Sequence, residues 1–460
     1  MHESGSLNRI TNGVIWKEML VFFLPLALGS LVQQLYNTVD AIIIGRFVGK
    51  EALAAVGGPA MTFSFIIISV FTGLSAGVTV IIAQHYGAED RKSLHRALHT
   101  AYAFGLISSV LITAMGLLIS PGMLRMMQTP DELMAPSLVY LNIYFGGVTA
   151  TILYNMGSSI MRAVGDSRRP LIYLVVCSIL NIILDLIFVI VLHLGIAGAS
   201  IATVLSQAVS AVLVTRSLMH SYDLFALRLR DIRIDRKMLR SQLRIGIPGG
   251  LQSLTYGFTN IIIQASINSF GTDTIAAWAA YGKLDIIFWA CSSSFGVAVT
   301  TFCGQNYGAG KFERVFRSVR TAFAMSFTIC GSILLVIYFF APQLFSLFVT
   351  DQVVINIGII MVHYMVPCYV CGIVIEVFSG ALRGLGDVKW PTVFTLGGIL
   401  GVRLPWLLFL VPAHHTLQMA ILSYPAAWVG TLSCLIPYYF LRRKRLLSGA
   451  RSAYYDESED

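Results

Sequence analysis

Charged residues are scarce in this chain. Only 12% of its 460 residues are Asp, Glu, Lys or Arg, whereas ordinary soluble domains contain about 25%. Hydrophobic residues make up 56% of the sequence, and the mean hydropathy is +0.75. A soluble protein of this length would need more polar side chains to cover its surface. The composition therefore indicates a membrane protein.

Motifs that would indicate an enzyme are also missing. The sequence contains no Gly-x-x-x-x-Gly-Lys-[Ser/Thr] loop, so ATP hydrolysis is not expected. No nucleophile motif is present, and His85, His95 and His99 are expected to lack an acidic ligand arranged for a metal. The seven Cys residues fall in or beside apolar segments and are interpreted as packing residues. We predict a protein that is not an enzyme and has no cofactor.

Long apolar runs, by contrast, fill most of the sequence. A helix of about 20 residues crosses roughly 30 Å of hydrocarbon, and it satisfies its own backbone hydrogen bonds in lipid, which an open strand does not. Twelve such segments are predicted, near residues 15–40, 52–82, 97–120, 134–158, 170–192, 196–219, 241–268, 275–303, 321–348, 354–380, 391–411 and 415–441. The predicted fold is an all-α polytopic membrane protein with twelve transmembrane helices.

The basic residues are distributed asymmetrically between the loops. Most of the 32 Lys and Arg residues lie at the N-terminus, in the even-numbered loops and in the tail. The odd-numbered loops contain only Arg46, Lys50 and Arg125. This pattern follows the positive-inside rule, so both termini are expected in the cytoplasm of a multi-pass cell-membrane protein. The basic stretch "RLRDIRIDRKMLR" (228–240) is interpreted as a cytoplasmic loop, and no nucleic-acid partner is expected.

The two halves of the sequence repeat each other. "AQHYGAEDRKSLHR" (83–96) matches "GQNYGAGKFERVFR" (304–317), and "SIMRAVGDSRRP" (159–170) matches "GALRGLGDVKWP" (380–391) at the same offset. Six segments per copy is an even number, so both copies insert in the same orientation, as in transporters built from parallel repeats. The predicted domains are an N-lobe at 1–219, a basic cytoplasmic inter-lobe loop at 220–240, a C-lobe at 241–441 and a cytoplasmic tail at 442–460.

Polar residues within the segments of the first half have no equivalent in the second. Asp40 lies in the first segment, Asn181 and Asp185 share one helical face of the fifth, and Thr203 lies in the sixth. The repeat aligns them with apolar or aromatic residues, namely Ile263, Val402, Trp406 and Tyr424. Two acids within the membrane are costly, so we predict a site for a cation or a shared proton rather than polar packing alone.

The second half instead contains four charged residues within its segments: Lys283, Asp285, Glu376 and Arg403. The sequence leaves two interpretations open for them. They could pair across helices and stabilise the fold, or they could line a substrate path.

Four motifs give the sequence a resemblance to a known family. "QQLYNTVDAIIIGRFVGKEALAAVG" (33–57), "AQHYGA", "RAVGDSRRP" and "NIILDLIF…GIAGASIATVLSQ" (181–207) resemble the MATE family, the multidrug and toxin extrusion transporters. The resemblance implies a V-shaped pair of six-helix lobes and drug/cation antiport. It also implies an N-lobe cation or proton site at Asp40, Asn181, Asp185 and Thr203, with Tyr140 of "VYLNIYF" as a further member. No acid occurs in segment seven, so no C-lobe ion site is carried over.

The function expected from this resemblance is secondary active antiport. Amphipathic, often cationic, drugs or toxins would be exported in exchange for Na⁺ or H⁺ by a monomer embedded in the lipid bilayer. The alternative is a flippase for a lipid or a lipid-linked saccharide, which would favour a cationic cavity for a phosphate head group. Only Lys283 and Arg403 support that alternative.

Overall fold

A computed structural model describes residues 8–220 and 226–456 of the chain. These residues form helices joined by short connections, and no β-strand occurs among them. The predicted all-α class is therefore confirmed. Three parts of the predicted domains lie outside the described residues, namely 1–7 of the N-lobe, 221–225 of the inter-lobe loop and 457–460 of the tail.

The helices follow one another with few intervening residues. Before the central loop, whose described residues are 226–235, they are α1 (Arg9–Asn12), α2 (Ile15–Phe47), α3 (Lys50–Gly87), α4 (Arg91–Met126), α5 (Asp131–Gly146), α6 (Val148–Ala163), α7 (Arg168–Val191) and α8 (Gly195–His220). After it they are α9 (Arg236–Asn268), α10 (Thr272–Gly308), α11 (Phe312–Phe339), α12 (Ala341–Ser346), α13 (Gln352–Gly384), α14 (Lys389–His414) and α15 (Leu417–Asp456).

Ten continuous helices in the described part of the chain are long and apolar enough to cross a membrane. Helices α5 and α6 form an eleventh span when taken together, with a bend of 50° between them. Helix α9 has 33 residues and occupies the place of the seventh predicted segment, but it carries polar residues such as Gln252, Thr255 and Asn260 on its apolar stretch. Eleven of the twelve predicted positions are therefore occupied by long helices, and the fourth by the bent pair α5 and α6.

The chain packs as two compact units. The first unit comprises Leu24–Gly250, and the second comprises the described residues before Leu24 together with those from Leu251 onward. Both boundaries fall inside a long helix, α2 or α9, close to its internal proline, Pro25 or Pro248. Proline removes a backbone donor and weakens a helix at that point. The lobe ranges drawn from the sequence repeat stay a prediction.

Glycine allows helices of the first unit to approach closely. A Cβ atom on Gly77 of α3 would overlap the backbone of Gln242, and one on Gly246 of α9 would overlap the backbone of Leu74. Small residues of this kind let membrane helices pack backbone to backbone. The Gln242 side chain also donates a 2.9 Å hydrogen bond to the carbonyl of Ala97 in α4. The beginning of α9 is thereby fixed against α3 and α4.

In the second unit, the short helix α1 is anchored by basic side chains. Arg314 Nε donates to the carbonyl oxygen of Ile10 at 3.1 Å, and Lys311 Nζ donates to that of Thr11 at 3.1 Å. Further along the chain, Phe23 stacks on Phe295 with ring centroids 3.9 Å apart. Arg314 and Lys311, which the sequence presents as markers of topology, therefore also hold the amino-terminal end of the described chain.

Candidate functional site

A cluster of oxygen-bearing side chains forms inside the first unit. Helix α7 presents Asn181 and Asp185 one turn apart, and neither side chain has any exposed surface. Helix α2 contributes Asp40, which is partly buried, and α8 contributes Thr203. Directly after Asp185, α7 continues as a π turn, Leu186–Val191. Such turns are rare and frequently occur at functional sites.

Asn181 connects the members of this cluster. With its amide oriented to satisfy both ends, Asn181 donates to Asp185 Oδ2 at 2.9 Å and accepts from the backbone N–H of Thr203 at 3.3 Å. The Thr203 hydroxyl donates to the carbonyl of Ala199 at 3.1 Å. It also accepts from the Tyr36 hydroxyl at 3.4 Å. The fifth and sixth predicted segments therefore meet through these polar groups.

The two acids of the cluster face each other. The carboxyl groups of Asp40 and Asp185 are close enough to share a hydrogen bond. The Oδ1 atom of each is buried and has no hydrogen-bond partner. A buried acceptor without a partner is costly, and two ionised carboxylates at this separation repel each other. A proton or a small hard cation between them would relieve both problems, since oxygen ligands suit such ions.

Two tyrosines lie beside the carboxyl pair. Tyr36, one helical turn before Asp40, and Tyr140 of α5 are both near enough to interact electrostatically with Asp40. Tyr140 stacks on Tyr144 with centroids 5.9 Å apart. The sequence assigned Tyr140 to the site but missed Tyr36, although the i, i+4 spacing to Asp40 could have indicated it. The five predicted residues and Tyr36 are thus neighbours within the first unit.

Apolar side chains enclose part of this cluster. Ile43, Ile44, Val189 and Ala199 form a buried core against which Tyr140 and other partly buried residues pack. Because this core comes from helices that also carry Asp40, Asp185 and Thr203, it holds the polar groups in a surrounding of low polarity. Electrostatic interactions between the carboxyl groups are stronger there than in water.

The corresponding positions of the second unit are apolar. Ile263 is 2% exposed and belongs to a core with Leu407, against which Trp406 and Tyr424 pack. The indole Nε1 of Trp406 donates to the carbonyl of Met419 at 2.9 Å. The repeat therefore places a packed hydrophobic cluster where the first unit has its acids.

Asp285 is the acid of the second unit that lines a cavity. Its carboxylate accepts a hydrogen bond from Tyr369, whose hydroxyl also bonds that of Tyr281. The cavity has a volume of about 300 Å³. Its lining is largely aromatic and polar, with Asn260, Gln264, Trp278, Tyr281, Asp285, Trp289, Tyr369, Tyr424 and Trp428 among the residues. The aromatic partners were missed in the sequence, because residues from several helices come together only in the fold.

The other three charged candidates do not join Asp285. Glu376 pairs with Arg383 at 3.7 Å, and the guanidinium of Arg403 lies 3.6 Å from the ring centroid of Tyr424. Arg403 is 2% exposed, and its Nε and Nη2 atoms have no hydrogen-bond partner. Lys283 is exposed. Glu376 thus pairs within its own helix, α13, and not across helices. Asp285 lines a cavity, and its place on a substrate path stays a prediction.

Comparison with known protein families gives one match in each half of the chain. The MatE family model matches residues 25–187 and 248–407. The chain belongs to the MatE family. The resemblance found in the sequence motifs is thereby confirmed, and the family is one of transporters.

Curated relatives and solved structures cover nearly the whole chain. "Probable multidrug resistance protein YoeA" of Bacillus subtilis (strain 168) is 28% identical, over 94% of this chain and 96% of its own length. "Multidrug export protein MepA" of Staphylococcus aureus (strain MRSA252) is 22% identical, over 93% and 94%. The outward-facing structure of a multidrug resistance MATE family transporter of the MOP superfamily has a TM-score of 0.87 at 24% identity, over 97% and 100%. The predicted polytopic fold of twelve helices in two six-helix halves is confirmed.

Proposed function

We propose that this MatE family member is a secondary active antiporter. It exports amphipathic, often cationic, compounds across the cytoplasmic membrane in exchange for Na⁺ or H⁺. The observation that carries the proposal is the carboxyl pair, in which Asp40 and Asp185 face each other and each has a buried Oδ1 atom without a partner. The names of the curated relatives, which include multidrug resistance and export proteins, support the export of drugs.

In this proposal the carboxyl pair is the coupling site. A proton bridging the two acids, or Na⁺ held by oxygens of Asp40, Asp185 and Thr203, neutralises a pair that would otherwise repel. Asn181 orients Asp185 through its 2.9 Å hydrogen bond. Ion binding can change the populations of outward- and inward-facing states only by its difference in affinity for them. Entry of the ion from outside would then drive release of the drug and return of the transporter.

The Asp285 cavity is proposed as a contact for the exported compound. It offers one carboxylate surrounded by aromatic rings, including Trp289 and Trp428. An amphipathic cation would find a counter-charge and π faces there, and cation–π contacts add about 0.5–2 kcal/mol. The volume of about 300 Å³ lies at the lower end of the range of small-molecule sites, which is roughly 300–1,000 Å³. The cavity therefore suits part of a drug-sized cation.

A flippase remains the second candidate because of one residue. Arg403 is buried, and two of its guanidinium nitrogens have no hydrogen-bond partner. A guanidinium is well suited to a phosphate group. Export of a cation requires Asp285, whereas phosphate-dependent lipid transfer requires Arg403, so variants at these two positions discriminate between the candidates.

Transport in proteoliposomes tests the proposal. Uptake of a cationic fluorescent drug would be driven by a Na⁺ gradient or by a pH gradient, each imposed separately on wild type, Asp40→Asn and Asp185→Asn. One of the gradients is expected to drive transport by wild type, and neither should drive transport by the variants. Their thermal stability should stay near that of wild type, because a buried charge is removed rather than created. Drug accumulation against its gradient by both variants would refute the carboxyl pair as the coupling site.

The orientation of the chain belongs to the same proposal. We infer from the positive-inside distribution that both termini face the cytoplasm. A reporter that is active only outside the membrane should be silent when fused after Arg445. Strong activity of that fusion would overturn the proposed orientation.

A further inference from the structure

Two histidines of α4 and one aspartate of the central loop come together away from the carboxyl pair. His95 and His99 are one turn apart on α4, and Asp231 lies in the 3₁₀ turn Leu229–Asp231 between α8 and α9. One ligand atom from each residue lies within 4.8 Å of the others. The expectation that these histidines lack an acidic ligand is therefore wrong, since Asp231 reaches them from a distant part of the sequence.

The loop that carries Asp231 is held in place by hydrogen bonds on both sides. Leu227 donates its N–H to the carbonyl of Leu218 at 2.9 Å. Asp235 donates its N–H to the Thr100 hydroxyl at 3.1 Å, and this hydroxyl donates to the carbonyl of Arg233 at 3.5 Å. The loop is thus fastened next to the first turns of α4. The position of Asp231 follows from these contacts as well as from its own interaction with His95.

The protonation of His99 can be read from its neighbours. Its Nδ1 atom lies 2.7 Å from the carbonyl oxygen of His95, so Nδ1 carries the proton. The lone pair is then on Nε2, which accepts the N–H of Arg228 at 3.0 Å and so points toward the loop. A histidine whose Nδ1–H is held by a backbone carbonyl has the arrangement typical of metal ligands.

The remaining two side chains have room to adjust. His95 Nε2 lies 3.4 Å from Asp231 Oδ2, and these side chains are 38% and 41% exposed. Zinc bonds of about 2.0–2.1 Å place tetrahedral ligand atoms roughly 3.3 Å apart. The three ligand atoms, which lie within 4.8 Å of one another, would have to move closer together by rotation of the two exposed side chains. An ion bound at His99 Nε2 would replace the hydrogen bond that this atom accepts from the N–H of Arg228.

We propose that His95, His99 and Asp231 form a binding site for a divalent transition-metal ion of the zinc class. Two imidazoles and one carboxylate suit Zn²⁺, Ni²⁺ or Cu²⁺, whereas Mg²⁺ prefers a set of oxygen ligands. Three protein ligands leave a fourth position for water. Binding would join the central loop to α4 by coordinate bonds in addition to its present hydrogen bonds. The site therefore couples the conformation of this loop to the availability of the metal.

Calorimetric titration of the full-length, tag-free protein tests the site directly. Metal is first removed with a chelator, and the protein in detergent is then titrated with Zn²⁺ and, separately, with Mg²⁺. Wild type is expected to bind one Zn²⁺ per chain and no Mg²⁺. His95→Gln and Asp231→Asn should each weaken zinc binding by ~10-fold or more, an effect seen even when only a residue that orients a ligand is changed.

His85→Gln is the matched control. His85 also lies near an acid, with Nδ1 at 3.9 Å from Asp90 Oδ2, but it is not a member of the proposed site. Its replacement should leave the zinc affinity unchanged. Loss of binding in this variant, or equal binding in wild type, His95→Gln and Asp231→Asn, would overturn the proposal. Absence of stoichiometric zinc binding by wild type would do the same.

Limited proteolysis provides a second readout that does not depend on transport. Arg228, Arg230 and Arg233 are exposed around Asp231, so trypsin can cleave the loop when it opens. Zinc should slow cleavage at these sites in wild type, because bound metal stabilises the closed loop. It should not slow cleavage in Asp231→Asn. Equal protection by zinc in both proteins would show that the metal acts elsewhere.

Discussion

The two units carry different side chains at positions that the sequence repeat makes equivalent. At repeat-equivalent positions, the first unit has Asp40 and Asp185, and the second has Ile263 and Trp406. The two acids face each other, and the Oδ1 atom of each has no hydrogen-bond partner. Ile263 and Trp406, by contrast, belong to one packed hydrophobic cluster. Packing of the helices therefore does not require acids at these places. Their presence in one unit indicates a function there.

Charge in the second unit is arranged differently. The acid that lines its aromatic cavity, Asp285, is bonded to Tyr369, and the buried Arg403 stacks on the ring of Tyr424. Single charges facing aromatic rings suit an organic ion, whereas two opposed carboxyl groups suit a proton or a metal cation. In the proposed function, the coupling ion binds in the first unit and the exported compound contacts the second.

The largest effect is expected when the acid is transferred to the apolar unit. Ile263→Asp should destabilise the protein by about 3 kcal/mol or more, because a charged side chain is placed among apolar neighbours in a membrane-spanning helix and in the cavity that already holds the Asp285 carboxylate. The measurement is the thermal unfolding of purified protein together with the amount that reaches the membrane. Ile263→Val, the matched control, should lower the free energy of unfolding by only about 0.5–1.5 kcal/mol. Near-normal stability of Ile263→Asp would mean that the apolar cluster tolerates an acid and that the two units are not chemically distinct.

A smaller but specific effect is expected for Asp285→Asn. Loss of the negative charge removes the proposed counter-charge for a cationic drug. It also weakens the hydrogen bond between residue 285 and Tyr369. A charge-assisted contact between the drug and the carboxylate would contribute about 1.5–3 kcal/mol, so its loss should raise the KM for cationic drugs roughly 10–100-fold. Transport of a neutral amphipathic compound should change little. An equal loss for cationic and neutral compounds would assign Asp285 to folding rather than to recognition.

An effect of intermediate size is expected for Arg403→Met, which replaces the buried arginine. The cation–π contact with Tyr424 is worth about 1 kcal/mol at partly desolvated sites, and the unbonded nitrogens offset part of it. We expect a changed substrate preference or a modest change in stability. Binding of the ion to the carboxyl pair should still stabilise the protein against thermal unfolding. The same outcome is expected for Lys283→Met. Loss of ion-dependent protection in either variant would show that the coupling site is not confined to the first unit.

The smallest effects concern the neutral oxygens of the first unit. Asn181→Ala and Thr203→Ala should weaken ion affinity by roughly 5-fold, about 1 kcal/mol each, without abolishing turnover, since each removes one uncharged group. Tyr424→Phe, at the position equivalent to Thr203, should leave ion affinity unchanged. Ion-dependent shifts in unfolding temperature measure all three. A loss in Tyr424→Phe equal to that in Thr203→Ala would remove the distinction between the two units.

Much of the first-unit cluster could be predicted from the sequence. An acid in an apolar run is conspicuous, and the i, i+4 spacing of Asn181 and Asp185 requires that they share a helical face. The repeat then showed that Asp40, Asp185, Asn181 and Thr203 are exceptions, because their counterparts are apolar or aromatic. The structure brings these predicted residues together and adds Tyr36.

The second-unit cavity and the proposed metal site could not be predicted in this way. Asp285 and Tyr369 come from α10 and α13, and His95 and Asp231 are separated by most of the first half of the chain. No helical periodicity connects such pairs. Glu376 and Arg383, by contrast, are seven residues apart on α13, so helical periodicity places them on one face, and the structure shows that they form an ion pair.

The sequence by itself determined the membrane class, the helical segments, the twofold repeat and the acids that lack a counterpart. It did so because lipid imposes length and polarity on every span, so each span carries its own signal. The tertiary structure decided which charges share a site: Asp40 with Asp185, Asp285 with an aromatic cavity, and Asp231 with two histidines. Contacts between distant helices depend on how their side chains pack, and that information lies in no single segment.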